Sequence, residues 1–329
     1  MRRSHAFGGS PRTVYVGGGT PSCLGAERLV ELLEAIRRNF DVSEVCEWTV
    51  ECNPEDVNPE LAGVLASGGV NRVSMGAQSL FDPALRMMGR RHDAGKVAEA
   101  VSALRAAGVD SISVDCIFGL PRVDGYSAVD DFERFVSLGV EHISAYSLQY
   151  EAGSRFNKMV EDGRLSPISD DEVADQYEEL TGVMRSAGYG HYEISNYAMP
   201  GREAVHNSSY WARADYYGFG PAAASLVGNV RTTNAANVAA YVRTEGREKD
   251  LTEVLDTEDV YEEVVMLGLR TSKGVSPVDV PSAYKGKFLD AVRIEVENGN
   301  LVELPTGNYR IPEERWMISE IIIRSVALP

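Results

Sequence analysis

Gly69-Val70, followed by Arg72-Val73-Ser74-Met75-Gly76, reads as a helix end running straight into a β-strand. Glycine just past a helix supplies the left-handed residue that stops it. The same phrase occurs three more times. Gly108-Val109 precedes Ser111-Ile112-Ser113-Val114-Asp115, Gly139-Val140 precedes His142-Ile143-Ser144-Ala145-Tyr146, and Gly188-Tyr189 precedes His191-Tyr192-Glu193-Ile194. The intervals suit successive helix-plus-strand units. The helices between them carry apolar stripes, Val97, Val101 and Leu104 in one, and Leu29, Leu32, Leu33 and Ile36 in the stretch from Gly25 to Asn39. Two earlier strands, Thr13 to Val16 and Trp48 to Cys52, bring the expected number to six. Strands separated by helices predict an α/β fold, a parallel sheet with right-handed crossovers. An open doubly wound sheet and a partly closed barrel both satisfy the pattern.

Polar residues gather where these strands are expected to end. The first runs into Gly17-Gly18-Gly19-Thr20-Pro21, the second ends in Glu51, the third in Gln78, the fourth in Asp115 and the sixth in Glu193. In parallel α/β folds ligands bind at the C-terminal ends of strands. Any one of these residues could be a cap or a satisfied core group, but five in succession point to a site. The glycine turn is not the dinucleotide fingerprint, which opens a helix with G-x-G-x-x-G. Nor is it a P-loop, since no Gly-Lys-Ser/Thr follows. With Glu51 and Asp115 on neighbouring strands it suits a small polar ligand carrying amino or hydroxyl groups.

Composition narrows the function. The 329 residues carry a formal charge of −17 at pH 7, which repels phosphate backbones and argues against nucleic acid as partner. No apolar run approaches the roughly 20 residues of a membrane span. Met1 to Pro11 has no apolar core and is not a signal peptide. Four cysteines are too few for a disulfide scaffold and suggest a reducing compartment, so a cytoplasmic protein is expected. Cys46 and Cys52 lie six positions apart on one strand, roughly 20 Å, too far to share a metal. Cys52 follows Glu51 and Cys116 follows Asp115, so alternation sends thiol and carboxylate to opposite faces. With the carboxylates toward the site, the thiols become small hydrophobes under the helices.

The pattern changes near Gly201. An aromatic and Asn-rich segment runs from His206-Asn207-Ser208-Ser209-Tyr210-Trp211 to Tyr216-Tyr217-Gly218-Phe219-Gly220. A helical run follows around Val260 to Leu269. A hairpin comes next, Asn300 to Leu304 and Tyr309 to Ile311 around Pro305-Thr306-Gly307-Asn308, and Pro312 is expected to open the last helix. This predicts a small winged-helix-like α+β module. The expected division is 1–200, a connecting segment 201–240, and a C-terminal domain 241–329.

Several ordered motifs together resemble the coproporphyrinogen-oxidase-like radical SAM proteins. They are Val14-Tyr15-Val16-Gly17-Gly18-Gly19-Thr20-Pro21-Ser22, Glu51-Cys52-Asn53-Pro54, Asn71 to Ser79, Gly89-Arg90-Arg91-His92 and Asp115 to Pro121. His206 to Trp211 matches the HNxxYW signature of the HemW-type heme chaperone branch. The resemblance implies a partial parallel (β/α)6 barrel holding S-adenosylmethionine (SAM) and a 4Fe-4S cluster. Gly18, Gly19 and Thr20 would meet the methionine end of SAM, Glu51 its ribose or amino groups, and Gln78, Arg90 and Asp115 the rest of the pocket. The bland alternative for Arg90 is a solvated cation at a helix end. His206 becomes the candidate heme ligand, with His191 as the alternative donor; as a lone histidine it is otherwise a hydrogen-bonded core residue. The family holds its cluster in a CxxxCxxC loop upstream of the glycine turn, whereas the residues before Gly17 are few and include no Cys. The first strand, the cluster loop and reductive SAM cleavage are therefore expected to be missing here. The implied function is a heme carrier with heme-accepting partner proteins rather than a turnover enzyme. Two other readings are an oxygen-independent coproporphyrinogen III oxidase and a cluster-less SAM-binding barrel.

Overall fold

The computed structural model describes residues 10–327. The chain separates after His206 into two compact units, so the segment 201–240 is divided between them. In the first unit the elements follow as β1 (Thr13–Val16), α1 (Gly25–Asn39), β2 (Glu47–Cys52), α2 (Pro59–Ser67), β3 (Arg72–Gln78), α3 (Asp82–Met88), α4 (Ala94–Ala106), β4 (Ser111–Phe118), α5 (Ala128–Ser137), β5 (His142–Ser147), α6 (Arg155–Glu161), α7 (Asp170–Ser186), β6 (Gly190–Glu193) and β7 (Asn196–Ala198). The helix α8 (Val205–Trp211) stands at the boundary.

The repeated glycines do what the sequence predicts. Gly69, Gly108, Gly139 and Gly188 all have positive φ, between +64° and +88°. The residue after each is buried, and the Val70, Val109 and Tyr189 amides each reach back to a carbonyl five residues upstream, which closes the helix end. Helix starts are equally local. Asn58, Asp93, Ser127 and Ser154 each cap a helix with the side chain, and Ser169 forms a capping box with Glu172.

The sheet order is β1-β2-β3-β4-β5-β7-β6, and β1 to β5 are all parallel. The sixth expected strand differs from expectation. Gly190–Glu193 pairs antiparallel with β7, and β7 pairs antiparallel with β5. Only Ile194 and Ser195 separate β6 from β7, and so short a link permits a hairpin but no crossover. Glu193 therefore sits at a hairpin turn, where Asn196 Nδ2 donates to it, rather than at an open strand end. Asp115 is also not terminal: β4 stays paired with β5 as far as Phe118 opposite Ser147.

Side chains sort sharply between the two faces. Val50, Met75, Val114, Cys116 and Ile143 point one way and are fully buried or nearly so, with Leu29, Leu65, Leu104, Phe132 and Leu180 of the helices buried against that side. The other face carries Tyr15, Thr49 and Glu51, Arg72, Ser74 and Gln78, Ser113 and Asp115, then His142 and Ser144. A parallel sheet covered on both faces reads as continuous apolar strands. This one is apolar on one face only, and its polar face is where a ligand can be held.

The second unit contains β8 (Ala224–Val227), β9 (Val230–Asn234), α9 (Val238–Arg243), β10 (Lys249–Val254), α10 (Thr257–Gly268), α11 (Lys285–Glu297), β11 (Val302–Glu303), β12 (Tyr309–Arg310) and α12 (Ser319–Ala327). The hairpin β11–β12 lies where the sequence places it, and Val275 bridges to Tyr309 beside it. Pro312 opens a short 3-10 helix, Glu313–Ile318, and α12 begins only at Ser319. The antiparallel sheet β10-β9-β8 was not foreseen, although Gly228-Asn229 between two apolar runs is a hairpin signal. Among the described residues no helix is long and apolar enough to cross a membrane.

The thiols give a direct test of the two faces. Cys52 and Cys116 are buried, and burial raises both, Cys52 to about 12, whereas Cys23 and Cys46 are exposed. A colorimetric thiol reagent at pH 8 should titrate Cys23 and Cys46 in the native protein and the other pair only after denaturation. Rapid native labelling of Cys52 or Cys116, read by peptide mass, would contradict the assignment of faces.

Candidate functional site

Gly17 follows β1 where no side chain fits. A Cβ there would lie 2.4 Å from Tyr15 Cε1 and 2.6 Å from the Glu51 carboxyl. Tyr15 OH donates to Glu51 Oε1 at 2.5 Å, and the Gly18 amide donates to Oε2 at 3.1 Å. Burial and the facing Glu51 carboxylate push the Tyr15 phenol far above its ordinary range, so it stays a neutral donor. Gly18 has φ +85°, and among the described residues, chain neighbours aside, nothing lies within 4 Å of a Cβ built on Gly18 or Gly19. The turn is thus tight against its own strand and open on its other side. Thr20 is not drawn in: it precedes the 3-10 turn Pro21–Leu24 and makes no side-chain cap.

Gln78 ends β3 in a strained conformation. Its φ is +70°, and Ser79 N–H donates to Ala77 O at 2.9 Å across it, a γ-turn of the positive-φ kind. Such a residue costs about 1–3 kcal/mol and persists only where its surroundings impose it. Here Asp131 imposes it, buried beneath the turn and accepting from Ser79 Oγ at 2.5 Å and from the Leu80 amide at 2.7 Å. The Gln78 amide then folds over Gly76, with its Nε2 2.9 Å from where a Cβ would stand.

Arg90 leaves the helix end. It follows Gly89, the left-handed C-cap of α3, and its Nη2 donates to Gly76 O at 2.7 Å and to Asn53 Oδ1 at 3.2 Å. It therefore bridges the ends of β2 and β3. Next to it Arg91 and His92 both bind Glu55, and His92 also reaches Ala77 O at 3.1 Å. The GRRH run is thus a clasp across two loops.

Asp115 lies inward and mid-strand, hydrogen-bonded by Ser144 and within electrostatic reach of Arg72, Glu51 and Arg90. So Gly18, Glu51, Gln78, Arg90 and Asp115 share one region of the polar face. His206 stands elsewhere. Its Nδ1 meets Thr13 Oγ1 at 2.8 Å and its ring stacks on Tyr15 with centroids 4.9 Å apart. The Val205 and His206 amides donate to Glu47 at 2.7 and 2.9 Å. The Thr13 and Glu47 contacts lie at the opening residues of β1 and β2, whereas Tyr15 reaches from His206 to the glycine turn, and burial lowers the imidazole so that it is neutral. His191 stacks on Tyr197 at 4.0 Å within the β6–β7 hairpin.

Tyr15, Asn53, Arg72, His142 and Ser144 belong to this face and were not singled out from the sequence. Their signal was the alternation itself, polar at every second residue in Glu47-Thr49-Glu51 and Arg72-Ser74.

The donors fit SAM: open space over two glycines, carboxylates for amino and hydroxyl groups, and a guanidinium for a carboxylate. They do not fit an iron–sulfur cluster. Among the described residues no three His, Cys, Asp or Glu side chains come together to hold a metal.

Residues 1–138 match the Radical SAM superfamily. The heme chaperone HemW of Lactococcus lactis is 37% identical over 278 residues, covering 84% of this chain and 73% of that one. This chain belongs to the HemW family. HemW of Bacillus subtilis is 35% identical over 285 residues, covering 85% of this chain and 75% of its own. The solved structure of coproporphyrinogen III oxidase HemN from Escherichia coli matches with a TM-score of 0.83 over 99% of this chain and 80% of that one. At 19% identity that likeness shows the shared radical SAM α/β fold.

The HemW-family site makes a pH prediction. Burial pushes the Asp115 carboxyl from 3.8 up to about 7, with Arg72 opposing and Glu51 adding repulsion. The folded chain keeps a proton that the unfolded chain releases near pH 4. This contribution to stability is therefore full below about pH 4 and lost as pH rises through about 7. Urea unfolding across that range should show a falling stability that Asp115→Asn partly flattens. Glu193, pushed up to about 7 by burial, leaves a second slope of the same sign. An unchanged profile in Asp115→Asn would show that Asp115 is ionised throughout.

Proposed function

We propose that this chain is a heme chaperone that binds heme and passes it to acceptor proteins, and that it carries a SAM pocket on the polar face of its first unit. The observation that carries the heme reading is identity above a third to two HemW proteins across more than four fifths of the chain, the HNxxYW segment included. Support for the SAM pocket comes from the arrangement of Gly18, Glu51, Gln78, Arg90 and Asp115 around an open glycine turn. Glu51 and Asp115 would accept from ribose hydroxyls or the ammonium, and Arg90 would fork onto the carboxylate. Bound SAM would supply a sulfonium centre held against these groups.

His206 is the proposed heme ligand. Burial lowers its imidazole, which favours the neutral form that binds iron. Heme binding then needs no group from the glycine-turn end.

Two titrations test the reading. Calorimetry with SAM should give a Kd at least tenfold weaker for Asp115→Ala than for wild type, and tighter binding for wild type as pH rises through about 7. Equal affinities would remove Asp115 from the pocket. Hemin followed by absorbance should bind wild type, with His206→Ala weakening the complex and moving the Soret band. His191→Ala should leave both unchanged. An unaltered spectrum in His206→Ala would make that residue structural and send the search for the ligand to His191.

A further inference from the structure

Arg72 opens β3 and is 3% exposed, yet among the described residues its side chain has no hydrogen-bond or ion-pair partner. Its Nε is buried without a hydrogen-bond partner. Among the described residues no carboxylate oxygen lies within 4.0 Å of its guanidinium. Buried arginine is ordinarily paired, because desolvating an uncompensated charge is costly.

Nearby carboxylates are committed elsewhere. Glu51 takes Tyr15 OH and the Gly18 amide, and Glu47 takes the Val205 and His206 amides. Asp115 is bonded by Ser144 and Glu193 by Asn196 and the Ser195 amide. The guanidinium is nonetheless at the centre of things. Its charge reaches Tyr15, Asp115, His142, Tyr146, Tyr192 and His206, groups on β1, β4, β5, β6 and α8. By alternation Arg72 projects from the polar face of the sheet, the face that also carries Tyr15, Asp115 and His142.

The imidazole and phenol neighbours add no charge of their own. His142 is neutral, driven down by burial and by Arg72, and it is fixed between Ser113 at 2.7 Å and Tyr192 OH at 2.8 Å. Tyr15, Tyr146 and Tyr192 all remain protonated phenols. Arg72 lies six residues before Gln78 on one strand, roughly 20 Å along it, so it belongs to the opposite end from the glycine turn.

We propose that Arg72 is the anion-receiving centre of this polar face, binding the carboxylate of a ligand at a site separate from the proposed SAM pocket. The planar fork suits a bidentate carboxylate, and aromatic neighbours suit an apolar body behind it. That carboxylate can come from a small organic acid or from the propionate arm of a porphyrin. The second source rests on the heme-chaperone reading; the site does not.

Thermal melts with sodium propionate test it, against sodium chloride at matched ionic strength. Wild type should gain about 2–4 °C when propionate is tenfold above its Kd. Arg72→Met should melt no lower than wild type without propionate, since no partner is stranded, and should lose the response. Arg72→Lys should keep a reduced response. Lack of response in wild type, an equal response in Arg72→Met, or an Arg72→Met protein that melts well below wild type in chloride would each overturn the proposal. Hemin and its dimethyl ester separate the sources. Binding of hemin at least tenfold tighter than the ester, with the gap closed in Arg72→Met, identifies the porphyrin propionate. Equal binding of the two with the propionate response intact identifies a small acid. A protein that binds no hemin but responds to propionate keeps this site and refutes the heme reading.

Discussion

Everything in the first unit depends on a sheet that is apolar on one face and polar on the other. Burying a Val, Leu or Ile contributes about 1.5–3 kcal/mol, and the helix side collects such residues from β2, β3, β4 and β5. That layer lets the opposite face carry groups no core would accept. A guanidinium, carboxylates and a neutral imidazole share that face, and their cost is met by packing behind them together with hydrogen bonds such as those between Tyr15 and Glu51 and between Ser113 and His142.

The ends of the strands then need exact backbone paths, and the chain secures each by a different device. Gly17 admits Tyr15 and Glu51 because it has no Cβ. Gln78 is forced left-handed by a buried aspartate from α5, a helix remote in sequence. Arg90 and His92 tie the loop after β3 to the loop after β2. These are fixed positions established before any ligand arrives, which reduces the ordering a ligand must impose.

At the other end, Glu47 holds the start of the HNxxYW segment through two backbone amides, and His206 lies on Tyr15. Tyr15 also bonds Glu51. One tyrosine thus touches both the residue proposed to meet heme and a carboxylate proposed to meet SAM.

The sequence alone determined what is local. The repeated glycine-plus-apolar phrase set the helix ends and hence the order of strands, because a left-handed residue is written in the residue type. Alternation set Cys52 and Glu51 on opposite faces, because successive residues of a strand point opposite ways, and burial of Cys52 then showed which face is which. The motifs set the family, and the resemblance is what put Glu51, Gln78, Arg90 and Asp115 forward as candidates. Tertiary structure decided what depends on partners far along the chain. The antiparallel turn of β6 became plain only with β7 beside it, and Asp115 became interior only because β5 prolongs its strand. Arg90 was a surface cation until Gly76 and Asn53 came within reach. Arg72 was invisible as a site, since burial without a partner is a property of surroundings, and no residue type encodes it.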